Sequence, residues 1–107
     1  MNKISLDQLA EDIAQWAEDK ELDEAASEKQ MLKLMKEVGE LAQGLAKDHR
    51  DQVIDSIGDV FVVLKILSMQ LSLDLTSCVA VSYGEIMHRK GKMVNGVFVK
   101  QEDLKEV

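Results

Sequence analysis

Proline is absent from the 107 residues, cysteine occurs once, and basic residues are outnumbered by acidic ones, 13 to 20. Each shortage removes a class of explanation. With Cys78 alone there is no internal disulfide framework. Its neighbours Leu75, Val79 and Ala80 are apolar and no histidine lies near it in sequence, so Cys78 is expected to be a small buried hydrophobe, not a nucleophile. The net charge of −7 argues against a protein that coats a nucleic-acid polymer, whose affinity rests on clustered Lys and Arg. It leaves room for one small anion held by a local basic patch or through a metal. The longest apolar run, Val60 to Leu64, falls far short of the roughly 20 residues a bilayer needs, and no membrane partner is expected. The opening MNKISLDQLAEDIAQ carries acids where a signal peptide needs an apolar stretch, which points to a cytoplasmic protein. The length suits a single domain over 1–107, and 46% hydrophobic residues suffice for a core. A chain this small buries a modest share of its surface, and association is a common remedy.

What is present is helical periodicity, with no low-complexity tract or repeat to interrupt it. Ser5 with Gln8 has the form of a capping box and opens a helix over about 5–20, with Leu6, Leu9, Ile13, Trp16 and Ala17 on one face. Residues 21–26 read as a connection. Ser27 with Gln30 repeats the capping signature, and a second helix runs over about 27–47 with Leu32, Met35, Leu41 and Leu45 among its apolar positions. After the polar break at Lys47-Asp48-His49-Arg50, a third helix covers about 51–71 and a fourth about 75–89. In the tail, Asn95-Gly96 between short β-favouring runs predicts a type I′ hairpin over about 92–99. The expected fold is an all-α four-helix bundle with a short C-terminal β-hairpin. Met31, Met35, Met69 and Met87 are most simply adaptable core. The third helix is apolar nearly all round from Val60 to Met69, and such a helix needs burial on every side. A homodimer or homotetramer with this helix at its centre is therefore expected.

Four acidic residues stand out. Glu37 and Glu40 lie three apart on the second helix, Asp55 and Asp59 four apart on the third, and both spacings place the pair on one helical face. If the two helices are antiparallel about the break near Lys47-Asp48, Glu40 falls level with Asp55 and Glu37 with Asp59. Carboxylates gathered in this way repel and raise one another's pKa, and a divalent cation relieves the penalty. Hard oxygen donors suit Mg²⁺, with Mn²⁺ as a possible substitute. His88 follows Glu85 by three but His49 follows no glutamate at that spacing, so the sequence offers one Glu-x-x-His where a di-iron centre needs two, and one cysteine with two separated histidines weakens a zinc reading further. The plainer alternative is a solvated acidic face. Gly39 and Gly58 between the acids cost helix propensity, and their small size can admit a close partner helix or a ligand.

Glu37-Val-Gly-Glu40-Leu, followed by Asp55-Ser-Ile-Gly-Asp59-Val, resembles the MazG-like all-α nucleotide pyrophosphohydrolases. The resemblance extends to the early Trp16, to Lys29-Gln30 and Lys33 ahead of the first acidic pair, and to the ending Arg89-Lys-Gly-Lys-Met-Val-Asn-Gly-Val-Phe. It implies Mg²⁺-dependent hydrolysis of a nucleoside triphosphate to the monophosphate and pyrophosphate, by a dimer or tetramer. It also implies metal ligands on an E-x-x-E and an E-x-x-D pair, which carries over to Glu37, Glu40 and Asp59. The glutamate of the second pair falls on Ser56, and Asp55 is the substitute one place earlier. Two other positions depart from the family's habit: Lys36 stands where a further glutamate is often found, and Gly84 where an asparagine is expected. Either Glu37 or Glu40 would orient the attacking water or take its proton.

Around this centre, Arg89, Lys90 and Lys92 form the dense basic cluster, read either as compensation of a helix C-terminus or as a phosphate site. Lys33, one turn before Glu37, is either its i, i+4 ion-pair partner or a phosphate contact. Trp16 is either core or a surface on which a base stacks. The alternative to an enzyme is a non-catalytic helical oligomer, or a relative that binds metal or nucleotide without turnover. Lys36, Ser56 and Gly84 are the residues that favour it.

Overall fold

The computed structural model describes residues 3–104. It contains four helices, α1 (Leu6–Asp19), α2 (Ser27–Ala46), α3 (Arg50–Gln70) and α4 (Leu75–Ile86), then an antiparallel hairpin of β1 (Gly91–Val94) and β2 (Val97–Lys100). Short 3₁₀ turns occupy Leu22–Glu24 and Gln101–Asp103. The all-α class with a short C-terminal hairpin is therefore as the sequence predicts. The chain divides into two compact units, one reaching Leu75 and the other beginning at Thr76.

In the first unit α3 packs against α1, α2 and the 3₁₀ turn. Ala17, Val63 and Ile66 form its fully buried apolar centre. From Val60 to Gln70 no position of α3 is exposed, so the apolar half of this helix is largely covered within one chain. The α2–α3 crossing is close because Gly44 is buried there: a Cβ on it would lie 3.1 Å from Val53 Cγ2 and 3.2 Å from Gln52 Cγ. The Gln52 amide fastens the same corner, donating to the Glu40 carbonyl at 2.9 Å and to Gln43 Oε1 at 3.0 Å. At the other end, Gln70 Nε2 donates to the Leu22 carbonyl at 2.9 Å and ties the 3₁₀ turn to α3.

Helix ends are set by local chemistry. Ser5 caps α1, its Oγ accepting from Gln8 N at 3.0 Å, but the Gln8 side chain donates forward to Asp12 at 2.9 Å, leaving the box half-formed. Ser27 does not cap α2: it is the first helical residue, and Ala26 precedes it with no side-chain cap. Helices α2 and α3 stop in the same way, with Asp48 (φ 55°) and Ser72 (φ 56°) in the left-handed region. In each case the next residue's N–H returns to a carbonyl in the last turn, His49 to Gly44 at 2.9 Å and Leu73 to Ser68 at 2.8 Å.

In the second unit α4 ends at Ile86, short of the expected end near Arg89; Met87 N makes the last i, i−4 bond, to the Tyr83 carbonyl, and Arg89 N closes a tighter turn onto the Ile86 carbonyl. Asn95 (φ 51°) and Gly96 (φ 81°) are both left-handed, which makes the hairpin turn type I′ as expected. Several apolar assignments are corrected. Leu32, Met35 and Leu45 of α2 are 63–70% exposed, because the face of α2 turned to α3 carries Gln30, Glu37, Leu41 and Gly44 instead. Met31, Met35 and Met87 are exposed, leaving Met69 as the methionine of that group with a core setting. Cys78 is exposed and free, since every residue of α4 after Leu75 is exposed in the single chain. Among the described residues no single helix is long and apolar enough to cross a membrane.

Candidate metal centre and cleft

Glu37, Glu40 and Asp59 come together as three half-buried carboxylates, with one oxygen from each within 4.8 Å of the others. The antiparallel α2–α3 pair produces this by bringing the middle of α2 level with the middle of α3. Burial, then the negative charges of Glu40 and Asp59 and a hydrogen bond with Glu40, push the Glu37 carboxyl above the ordinary glutamate range; Lys36 opposes the shift. Glu37 Oε2 is closed off from solvent and has no hydrogen-bond partner. A buried carboxylate oxygen in that condition needs a proton or a cation. Three hard oxygen donors, one of them orphaned, could hold a divalent cation.

Asp55 is exposed and stands outside this group. Ser56 is the neighbour that turns inward, 1% exposed, so the position at i−3 from Asp59 faces the interior and Asp55 does not replace it. Gly39 and Gly58 have open space where a Cβ would stand, so neither admits a close element of its own chain. Lys36 bridges toward Glu40 at 3.9 Å, an exposed i, i+4 pair. Among the described residues this is the ion pair of the α2 face, and Lys33 forms none with Glu37.

Beside the acids lies a cleft of about 260 Å³ within the first unit. Trp16 and Leu22 line it from α1 and the 3₁₀ turn, Gln30, Lys33, Lys36 and Glu37 from α2, and Asp59, Val62, Val63 and Ile66 from α3. Trp16 is half exposed and forms part of this wall, so its ring is open to a ligand and is not closed into the core. Arg89 and Lys90 line a depression in the second unit with Glu85, His88, Lys100, Gln101 and Glu102, and Lys92 lies exposed on β1. Gln30, which the sequence places both in a capping signature and in the approach to the first acidic pair, is a wall of the cleft. The available signal was its place seven residues before Glu37, which is two turns along the same face.

The chain is similar, at 50% identity over 70 residues, to an uncharacterized 18.2 kDa protein of the rep-hol intergenic region of Haemophilus phage HP1 (strain HP1c1). The aligned stretch is 64% of this chain and 43% of that relative, so the chain spans less than half the length of the curated relative it matches. No family model and no solved structure matches the chain.

Proposed function

We propose that the protein is a Mg²⁺-dependent nucleoside triphosphate pyrophosphohydrolase, converting an NTP or dNTP and water to the monophosphate and pyrophosphate. The observation that carries the reading is the Glu37–Glu40–Asp59 group with an orphaned, solvent-shielded oxygen on Glu37. The motif resemblance at Glu37-Val-Gly-Glu40 and Asp59 supports it from the sequence side. Glu37, Glu40 and Asp59 would hold the cation, with Mn²⁺ as a substitute. When bound, it supplies charge neutralisation at the phosphate oxygens and a more acidic water.

The chain's own residues do the rest. Glu40, half exposed and at the edge of the group, orients the attacking water and accepts its proton. Glu37, held by its neighbours in a more shielded position, serves as ligand. Lys33, free of an ion pair with Glu37, extends from the cleft wall toward the phosphates. Trp16 offers its face to the base. Arg89, Lys90 and Lys92 remain phosphate candidates by resemblance alone. In Glu40→Gln, turnover should fall by at least 100-fold with the fold intact by circular dichroism. Undiminished turnover removes Glu40 from the chemistry.

The same reading includes self-association in a cytoplasmic homodimer or homotetramer. Its support is the apolar surface left open by one chain: Ile54 and Ile57 on α3, each nearly 60% exposed beside the open Gly58, and Val79, Val81, Tyr83 and Ile86 along α4. Exposed apolar side chains in such number are commonly covered in soluble proteins, and a second copy is the available cover.

A further inference from the structure

The C-terminal hairpin is short of cover. Two strands alone are marginally stable in water, and a third strand or a helix to pack on is the usual remedy. In its own unit β1 packs against the 3₁₀ turn Gln101–Asp103, and Met93, Val97 and Phe98 remain 47–64% exposed. The register pairs Met93 with Phe98 across the strands, so the two share one face, and Lys100 stands on that face two residues beyond Phe98. Gly91 belongs to the same face: a Cβ on it would lie 2.6 Å from Phe98 Cζ, so the ring lies along the glycine. From Met87 to Lys100 the chain carries four basic residues and no acidic one.

A surface of opposite character lies in the first unit. A groove of about 330 Å³ is lined from α1 by Leu9, Asp12, Ile13 and Trp16 and from α3 by Val62, with Asp12 its one charged residue. It shares Trp16 and Val62 with the acidic cleft, but none of that cleft's lysines or carboxylates. From Leu6 to Glu24 the chain holds eight acidic residues against one basic, Lys20.

We propose that the Met93–Phe98 face of the hairpin docks in the α1–α3 groove of a second copy of the chain, apolar patch on apolar groove and basic tail beside acidic helix. The assignment rests on the self-association reading above, and adds to its α3 and α4 faces the contact that covers the hairpin. Groove against groove would set two strongly acidic segments together, and hairpin against hairpin two basic ones; hairpin on groove is the pairing in which the charges attract. Each copy carries both halves, so two copies make the contact reciprocally and close a two-fold dimer. The patch is too small to hold a dimer alone, and it acts together with the other faces.

The test is cross-linking by a short bis-maleimide in a Cys78→Ala background, which removes the free thiol. One preparation carries Leu9→Cys and the other Met93→Cys, and the two are mixed after light scattering has established the oligomeric state of each. The control replaces Leu9→Cys by Glu28→Cys, exposed on α2 and outside the groove. Docked thiols meet at an effective concentration of order 1 mM, so at about 10 μM protein the covalent dimer should form about 100-fold faster than in the control. An oligomer in which the Leu9→Cys and Met93→Cys mixture links no faster than the control overturns the docking and leaves self-association standing. A single chain carrying both substitutions that links within itself also overturns it, since the hairpin then covers its own first unit. A monomer removes the self-association reading together with the docking.

Discussion

Replacing Lys36 by glutamine should tighten Mg²⁺ binding, and the size of the effect follows from the geometry. The ammonium lies 3.9 Å from Glu40 Oε1, with the two side chains 68% and 43% exposed. At about 4 Å in water, unit charges interact by about 1 kcal/mol, and measured exposed pairs fall at or below that figure. A cation entering the acidic group has to displace Lys36 from Glu40 and then tolerate a like charge at short range. Removing the ammonium relieves both, for a gain of up to about 1 kcal/mol, or about three- to fivefold in affinity. Screening sets a second signature, because the gain should shrink as salt rises and the Debye length contracts from about 30 Å at 0.01 M to about 10 Å at 0.1 M. Calorimetric titration of Mg²⁺ and Mn²⁺ into both proteins at two salt concentrations reads the effect. Unchanged or weaker binding in Lys36→Gln refutes the reasoning, since it places the cation away from Glu40.

Other outcomes follow from the same structure. Because the Glu37 carboxyl is raised in the folded state, its contribution to metal-free stability is full below the unfolded glutamate pKa and lost as pH rises through the folded value. Metal-free Glu37→Gln should therefore melt above wild type at neutral pH and lose that advantage in mild acid, and a pH-independent difference in Tm would contradict this. Ser72→Gly removes the cost of a side chain at φ 56° where α3 ends, and should stabilise by about 1 kcal/mol in urea titration; equal or lower stability tells against that strain. Ile57→Glu places a charge on the open face of α3 and should convert an oligomer into a monomer by light scattering. A wild type that is already monomeric at micromolar concentration ends the self-association proposal.

Much of the fold was legible because it rests on local signals. Ser5 caps α1, the polar break at Lys47-Asp48 becomes a left-handed stop, and Asn95-Gly96 makes its type I′ turn. Three members of the acidic group could be read because i, i+3 spacing and an antiparallel pair nearly dictate their meeting. The fourth could not be placed from spacing alone. Asp55 and Ser56 are both near the phase of Asp59, and the rotation of α3 against α2, fixed by the close approach at Gly44, decides that Ser56 turns inward. The same rotation explains why Leu32, Met35 and Leu45 face outward. Apolar periodicity identifies a face without saying what covers it. The cap expected at Ser27 fails for a related reason: a serine three residues before a glutamine looks like a cap, and tertiary packing gave the glutamine to the cleft.

The central claim is most directly tested by following pyrophosphate release from a panel of ribo- and deoxynucleoside triphosphates, with Mg²⁺ and with chelator. The account predicts metal-dependent formation of pyrophosphate and the corresponding monophosphate from at least one of them. Release of orthophosphate instead, or no release from any nucleotide by the folded protein, contradicts it.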